Sequence, residues 1–227
     1  MEDTGHDCPR KMTSDPNSRM QRTIWIAAIV LSVGYLWLRG GFITVGAVGK
    51  VPAMQPGWAK ATFAVGCFWT AESIFDKVPG VKATTAGYTG GHVRNPTYDE
   101  VSAGGTGHAE SVEVLFDPSA VTYDRLLDEF WHHIDPFVSH RQFCDVGDQY
   151  RPMIFVHSDA QRDAAEASRA RVQAKFSKAI LVGISKAGAF YPADESHQDY
   201  YLKHPMQYQY YRWACGRDAR LEQIWGT

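Results

Sequence analysis

The chain has 227 residues, of which 44% are hydrophobic, and a net charge of −2 at neutral pH. This composition is typical of a globular core, and the nearly balanced charge gives no electrostatic basis for nucleic-acid binding. The four cysteines are far apart and form no Cys-x-x-Cys pair, which speaks against a structural zinc site and a dense disulfide framework.

The N-terminal part of the chain differs in character from the rest. Residues 1–22 are polar and lack periodicity, so we expect a disordered segment. Residues 23–48 contain an uncharged run, Ile24 to Leu38, which follows arginines and is typical of a signal peptide or membrane anchor. The run is shorter than the roughly 20 residues that cross a bilayer, and a start at Met20 would make it an ordinary export signal.

Proline and glycine mark residues 49–57 as a linker to one domain, residues 58–227. Because the apolar run has no polar face, we favour export or anchoring over the alternative of a core helix in a soluble protein. The domain is therefore expected outside the cytoplasm.

Hydrophobic periodicity in this domain predicts alternating strands and helices. The strands are expected at residues 60–65, 81–88, 109–116, 153–156 and 180–184, and the helices at 68–77, 123–134 and 158–176. The order strand, helix, strand, strand, helix, strand is that of a ferredoxin-like split βαβ core. We expect a two-layer α/β (α+β) sandwich with one more helix and strand, followed by an irregular, aromatic C-terminal tail.

The junction between the first strand and the first helix carries Gly66-Cys67-Phe68-Trp69. A cysteine at a helix N-terminus meets unpaired N–H groups and the positive end of the helix dipole, which favour the nucleophilic thiolate. The two aromatic residues provide an apolar wall beside it. The alternative is a buried cysteine that packs as a small hydrophobic residue.

The strand from Ala109 places Glu110 on the same side as Val112, Val114 and Phe116. A carboxyl group in apolar surroundings has a raised pKa and can act as a general acid near neutral pH. The alternative is a strand-end glutamate that reaches solvent or pairs with an arginine.

Two further segments are unusually rich in polar and aromatic residues. The first is a glycine loop, Gly87 to His92, followed by a turn that ends at Tyr98. The second runs from Arg141 to Arg151 and contains Asp145 and Tyr150. Hydroxyl and carboxyl groups of this kind can orient a polar oxygen, although single tyrosines are also common at ordinary surfaces.

These motifs occur in one order and together closely resemble the peptide-methionine (S)-S-oxide reductase family, the A-type methionine sulfoxide reductases. The resemblance extends from Trp58 to the C-terminus, and its most specific part is Gly-Cys-Phe-Trp with a downstream Gly-His-Ala-Glu. The full set of motifs is Gly66 to Trp69, Gly87 to Gly91, Asn95 to Tyr98, Gly107 to Glu110 and Asp145 to Tyr150.

The resemblance implies a role for each polar motif residue. Cys67 would attack the sulfoxide sulfur, and Glu110 would supply the proton with which the sulfoxide oxygen leaves as water. Tyr98 and Tyr150 would hydrogen-bond that oxygen, while Asp145 would help to hold the polar site. Methionine and a Cys67 sulfenic acid would result, which a second thiol must resolve.

The resemblance also implies that Phe68 and Trp69 receive the S-methyl group of the substrate. Some relatives carry two cysteines in a glycine-rich tail, whereas this tail contains only Cys215. We expect Cys215 to be the resolving thiol, with Cys144 as the rival candidate. The tail segment with His197 and its neighbouring tyrosines is given no catalytic role.

No bound cofactor or metal site is expected, and an external reductant, thioredoxin or a similar dithiol, would regenerate the enzyme. The substrates would be oxidised proteins, peptides or free methionine sulfoxide, and the protein is expected to be a monomer. The alternative functions are a cysteine hydrolase or acyltransferase with His108 as the base of Cys67, and a non-catalytic binding module.

Overall fold

The computed structural model describes residues 52–226. The predicted disordered segment and the apolar run from Ile24 to Leu38 lie outside these residues, as does the beginning of the linker. None of the helices between residues 52 and 226 combines the length and the apolarity that a membrane crossing requires.

Strands and helices alternate along the first two thirds of the described chain, and helices follow. The strands are β1 (Ala59–Ala64), β2 (Val81–Thr89), β3 (Ala109–Phe116), β4 (Arg141–Gln142), β5 (Asp145–Val146), β6 (Met153–Val156), β7 (Gly183–Lys186) and β8 (Tyr191–Pro192). The helices are α1 (Phe68–Phe75), α2 (Tyr98–Ala103), α3 (Tyr123–His132), α4 (Asp159–Gln173), α5 (Tyr200–Lys203), α6 (Pro205–Ala214) and α7 (Arg217–Trp225), with a 3₁₀ turn at Asp148–Tyr150.

The central sheet has the strand order β7-β6-β1-β3-β2-β8. β1 pairs antiparallel with both β3 and β6, β2 pairs antiparallel with β3 and β8, and β7 runs parallel to β6. All eight residues of β3 are buried, so the sheet is covered on both faces at its centre. The chain therefore has a mixed α/β architecture with a central sheet and packed helices.

Aromatic side chains join the helices to one face of the sheet. The ring of Phe63 on β1 stacks on Phe75 of α1 at 4.9 Å and on Phe130 of α3 at 5.6 Å between ring centroids. Burial of one such side chain contributes roughly 1.5–3 kcal/mol. The buried face of α3 agrees with the spacing in the sequence, and the side chain of Thr122 caps the helix by accepting from Arg125 N.

The strand register brings four separate segments together at one end of the central strands. Phe63 lies opposite Val112 in the antiparallel pair of β1 and β3, so the chain just after β1 lies beside the start of β3. Tyr88 near the end of β2 lies opposite Glu110. Met153 at the start of β6 lies opposite Ala64. Cys67, Glu110 and the 3₁₀ turn before β6 therefore lie at this same end of the strands.

The prediction of an irregular C-terminal tail is wrong, because the tail forms α5, α6 and α7. Proline occupies the first turn of α6, where a missing N–H costs nothing. This helix buries Tyr208 and Tyr211 but leaves Met206, Tyr210 and Trp213 exposed. Because large apolar side chains lie on both faces, the sequence lacks the single apolar stripe that indicates a helix.

Candidate active site

Cys67 is the N-cap residue of α1 and is only 3% exposed. Its thiol is reduced, and its carbonyl accepts hydrogen bonds from the backbone N–H groups of Thr70 and Ala71. The first N–H groups of α1 and the positive end of its dipole face this residue. The position therefore favours a negative charge on the sulfur, as expected from the strand-to-helix junction.

Gly66 permits a close approach between two segments of the site. Its φ is +92°, and a Cβ at this position would lie 2.6 Å from Cβ of Gln142. Gln142 is fixed in turn, since its side-chain amide accepts from Asp135 N at 2.9 Å and donates to Asp135 O at 2.8 Å. Only glycine tolerates both the positive φ and the lack of space for a Cβ. The loop with Cys144 can therefore pack directly against the loop with Cys67.

Glu110 binds the first residue of α1. Its Oε2 accepts a hydrogen bond from Phe68 N at 3.0 Å, and the residue is 2% exposed. Burial raises the pKa of Glu110 to about 8, the Phe68 N–H opposes this rise, and the charge of Asp145 adds to it. At neutral pH, Glu110 therefore carries a proton beside Cys67, and it neither reaches solvent nor pairs with an arginine.

Asp145, Tyr150 and Tyr98 lie on three different elements of the structure. Asp145 is fully buried on β5, opposite Gln142 of β4, and its Oδ2 accepts a hydrogen bond from Tyr211 of α6. Tyr150 ends the 3₁₀ turn and is 7% exposed. Tyr98 is half-buried at the start of α2, where its ring packs against Phe68 at 6.4 Å.

Stacked aromatic rings form a wall beside the first turn of α1. Tyr200 stacks on Trp69 with 3.7 Å between ring centroids, and His197 stacks on Tyr98 at 4.2 Å. Nδ1 of His197 also accepts a hydrogen bond from Trp69 Nε1 at 3.2 Å. No catalytic role was predicted for His197 or Tyr200, yet His197 contacts both predicted substrate-binding residues, Phe68 and Trp69, and Tyr200 contacts Trp69. The sequence feature that could have indicated a role for them is the high density of aromatic and polar residues in the tail.

Glu72 anchors the tail segment behind this wall. It is 1% exposed, and its Oε2 accepts a hydrogen bond from Asp199 N at 3.0 Å. Burial is the largest cause of its raised pKa, about 8, and the nearby charges of Asp199 and Asp76 add to it. The folded protein therefore keeps a proton on Glu72 at pH values where the unfolded chain has lost it.

We expect this proton to make stability depend on pH. Between the ordinary glutamate pKa of 4.5 and the folded value of about 8, the free energy of unfolding should fall with rising pH by about 1.4 kcal/mol per unit for each such group. Glu72→Gln should remove one such contribution, whereas the exposed Glu166→Gln should not. Urea unfolding between pH 5.5 and 8 measures this slope, and an unchanged slope in Glu72→Gln would contradict the assignment.

The two rival resolving thiols, Cys144 and Cys215, form a disulfide with each other and have Cα atoms 4.9 Å apart. Cys144 Sγ also lies 3.5 Å from Asp145 Oδ1. These three residues would be the candidate metal ligands, with ligand atoms within 4.8 Å of one another. Because the two sulfurs are bonded to each other, they are not available as thiolate ligands in this state.

His108 does not serve as the base of Cys67. It is 2% exposed, its Nδ1 accepts from Gly91 N at 3.2 Å, and its Nε2 lies 2.7 Å from Val93 O. Both ring nitrogens are thus engaged by backbone groups of the preceding loop. The hydrolase alternative fails on this geometry, because a general base must reach the nucleophile with a ring nitrogen.

Comparison with known proteins gives the same family as the motifs. The family model described as peptide methionine sulfoxide reductase matches residues 59–227. The peptide methionine sulfoxide reductase MsrA of Listeria welshimeri is 48% identical over 168 residues, covering 73% of this chain and 95% of the relative.

Two solved structures are also similar to this chain. Mxr1 of Saccharomyces cerevisiae in its reduced form has a TM-score of 0.66 and 31% identity, covering 69% of this chain and 92% of the yeast chain. Methionine sulfoxide reductase A of Corynebacterium diphtheriae has a TM-score of 0.61 and 32% identity, covering 70% and 87% of the two chains. With the extent of the family match and the identity to the Listeria relative, these findings show that the chain belongs to the peptide methionine sulfoxide reductase family.

Proposed function

We propose that this protein is a thiol-dependent reductase that converts the S epimer of methionine sulfoxide in proteins to methionine through Cys67. Free methionine sulfoxide is a further substrate in this proposal. One observation carries this proposal. A reduced cysteine lies at the N-terminus of α1, and a protonated Glu110 accepts a hydrogen bond from the backbone N–H of the next residue, Phe68. Such a site offers a nucleophile and a proton donor together.

The first half-reaction transfers the sulfoxide oxygen to the enzyme. The Cys67 thiolate attacks the sulfoxide sulfur, the oxygen forms a new bond to the Cys67 sulfur as the S–O bond of the substrate breaks, and methionine leaves with its sulfur reduced by two electrons. Cys67 is oxidised by the same two electrons to a sulfenic acid, and the proton from Glu110 ends on the transferred oxygen. Tyr98 and Tyr150 donate to that oxygen during transfer, and Asp145 orders the polar side through Tyr211.

Phe68 and Trp69 would bind the methyl group of the substrate. Both side chains belong to the aromatic wall, since their rings lie 6.5 Å apart and Trp69 stacks on Tyr200, and this apolar surface supports the role. Since a sulfoxide sulfur carries an oxygen, a methyl group and a longer chain, polar donors on one side and rings on the other recognise its handedness. This arrangement is the basis for the proposed preference for the S epimer.

The disulfide suggests how the sulfenic acid is resolved. Cys144 lies beside Asp145 in the site, whereas Cys215 lines an open cleft with Val138 and Phe143. In our proposal, the rival candidate Cys144, and not Cys215 as expected from the sequence, attacks the Cys67 sulfenic acid with its thiol, and the oxygen leaves as water. Cys215 then attacks Cys144, which forms the observed disulfide and returns Cys67 as a thiolate.

Thioredoxin or a similar dithiol protein completes the cycle in this proposal. Because Cys215 lines the cleft, the reductant's thiolate attacks that sulfur and the electron pair of the broken bond leaves with Cys144. The second thiol of the reductant then attacks the mixed disulfide and releases Cys215. The reductant departs oxidised, and both enzyme thiols are restored.

The substitution of each relay cysteine should stop the cycle at a different step. Cys215→Ser is expected to form one methionine per chain and accumulate a disulfide between Cys67 and Cys144, with thioredoxin-dependent turnover lowered about a hundredfold. Cys144→Ser is expected to accumulate the sulfenic acid. Mass spectrometry after one turnover identifies both products. A disulfide between Cys67 and Cys215 in Cys144→Ser would reverse the proposed order.

A single turnover without reductant tests the whole scheme. The reduced full-length protein is mixed with a single equivalent of a peptide that contains one methionine sulfoxide, so that the regenerated Cys67 meets no second substrate, and methionine and remaining thiols are counted. The scheme requires one methionine per chain and the loss of two thiols. Methionine formation without loss of thiols would contradict the relay, and the absence of methionine would contradict the function.

The strand order supports a ferredoxin-like core, which we propose as the finer description of the fold. The order β6-β1-β3-β2 with antiparallel neighbours is the arrangement in which β1-α1-β2 and β3-α3-β6 form two interleaved βαβ halves.

We also propose that the domain acts outside the cytoplasm, because the uncharged run from Ile24 to Leu38 precedes it. Recovery of the full-length protein in the cytoplasmic fraction of its host would contradict this location.

A further inference from the structure

Arg217 occupies an unusual position for an arginine. It begins α7, two residues after Cys215, and is 1% exposed. Its guanidinium donates to His133 O at 3.1 Å and to Val65 O at 3.3 Å. Both acceptors are uncharged carbonyl oxygens, so they do not neutralise the buried charge. Because burial of a charge is costly, its retention here calls for a function beyond packing.

Arg217 is linked to all three segments that carry a site cysteine, to two by contacts and to the third by the chain itself. Nη2 binds the carbonyl of Val65, two residues before Cys67, and would lie 3.4 Å from a Cβ on Gly66. Cζ lies 4.1 Å from the ring centroid of Phe143, the residue before Cys144. Cys215 and Gly216 precede Arg217 directly in the chain. The planar guanidinium thus contacts the segments of Cys67 and Cys144, and the backbone joins Arg217 to Cys215 through Gly216.

We propose that Arg217 is a positioning residue that holds Cys67, Cys144 and Cys215 in register for thiol-disulfide exchange. The inference rests on the proposed function, since it concerns the relay that follows sulfoxide reduction. Each exchange step needs the attacking sulfur in line with the breaking bond, so small displacements are costly. The buried positive charge also favours the thiolates that form and leave during these steps.

Lysine would not replace arginine fully at this position. The guanidinium is planar, bridges two carbonyls and stacks on a ring, whereas an ammonium group cannot satisfy all three contacts at once. A lysine would keep the positive charge and one hydrogen bond. Methionine would keep much of the side-chain volume but remove the charge and both hydrogen bonds. The two substitutions therefore separate the charge from the planar geometry.

The test separates methionine formation from the relay in one turnover. The full-length protein and its variants Arg217→Met and Arg217→Lys are reduced, freed of reductant and mixed with a peptide containing methionine sulfoxide. Methionine and the disulfide between Cys144 and Cys215 are followed in samples quenched with acid. Arg171→Met, which removes an exposed arginine that pairs with Asp124 on another helix, is the control.

We expect disulfide formation to slow about a hundredfold in Arg217→Met and about tenfold in Arg217→Lys, with methionine formation slowed by no more than about threefold in both, since the relay needs three aligned sulfurs and the first step only one. The control should match the parent in both readouts. Equal slowing of both steps would reduce Arg217 to a structural residue, and a parental relay rate would remove its role. If Arg217→Met does not fold, the same comparison in Arg217→Lys decides.

A failure of the proposed function would be recognised in the parent chain. If the parent forms no methionine, the function and this inference are both overturned. If the parent forms methionine and the disulfide, and Arg217→Lys and Arg217→Met do so equally fast, only the inference is overturned.

Discussion

Cys67→Ser is expected to lose sulfoxide reduction by at least about a thousandfold while the protein remains folded. A serine hydroxyl is a far weaker nucleophile than a thiolate, and it cannot carry the transferred oxygen as a sulfenic acid. The N-cap position tolerates serine well, so α1 should persist. Methionine release from a sulfoxide peptide, measured with excess dithiothreitol, gives the rate.

The matched control is Cys8→Ser, because Cys8 precedes the uncharged run from Ile24 to Leu38 and belongs to none of the motifs that define the site. It should reduce the peptide at the parental rate. Circular dichroism shows whether each variant is folded. A folded Cys67→Ser protein that retained more than about a tenth of the parental rate would end the assignment of Cys67 as the nucleophile.

Glu110→Gln is expected to slow methionine formation by about 10²- to 10⁴-fold, the usual contribution of a general acid. The amide keeps the shape of the side chain and still accepts from Phe68 N, so substrate binding should change little. The loss should therefore appear in kcat, with KM nearly unchanged. Glu113→Gln is the control, since Glu113 is also buried on β3 but pairs with Lys60 at 2.9 Å.

The pH dependence gives a second check on Glu110. Because its pKa is about 8, the proton is present at pH 7 and is lost as the pH rises through that value. The parental rate of methionine formation should fall about tenfold per unit above this pKa. Glu110→Gln should lack this descending limb. A parental rate in Glu110→Gln at pH 7 would rule out the proton-donor role.

Much of the sheet and helix layer could be predicted from local patterns. The strand from Ala109 to Phe116 has the predicted bounds, and α3 buries the face that its spacing indicates. The predicted strand at residues 180–184 instead lies at Gly183–Lys186, because Leu181 N binds Pro136 O and pairing with β6 begins only at Gly183. Long-range pairing, which a local pattern does not contain, sets this boundary.

The site residues that could be predicted are those whose place in a strand or helix and whose chemical role both follow from one short motif. Cys67 and Glu110 stand at a strand end and a strand start, so alternation and junction rules located them. The contributions of His197 and Tyr211 depend on the folding of the tail over α1, which no local pattern shows. The disulfide between Cys144 and Cys215 spans 71 residues, and spacing alone does not reveal such a pairing.

The most direct measurement compares the two epimers of one substrate. The full-length protein is incubated with separate S and R forms of a methionine sulfoxide peptide and dithiothreitol, and methionine is measured over time. The proposed site geometry predicts reduction of the S form at least about a hundredfold faster than the R form, since the oxygen and methyl groups of the two epimers exchange places between the polar groups and the aromatic rings. Equal reduction of both forms, or reduction of the R form alone, would contradict it.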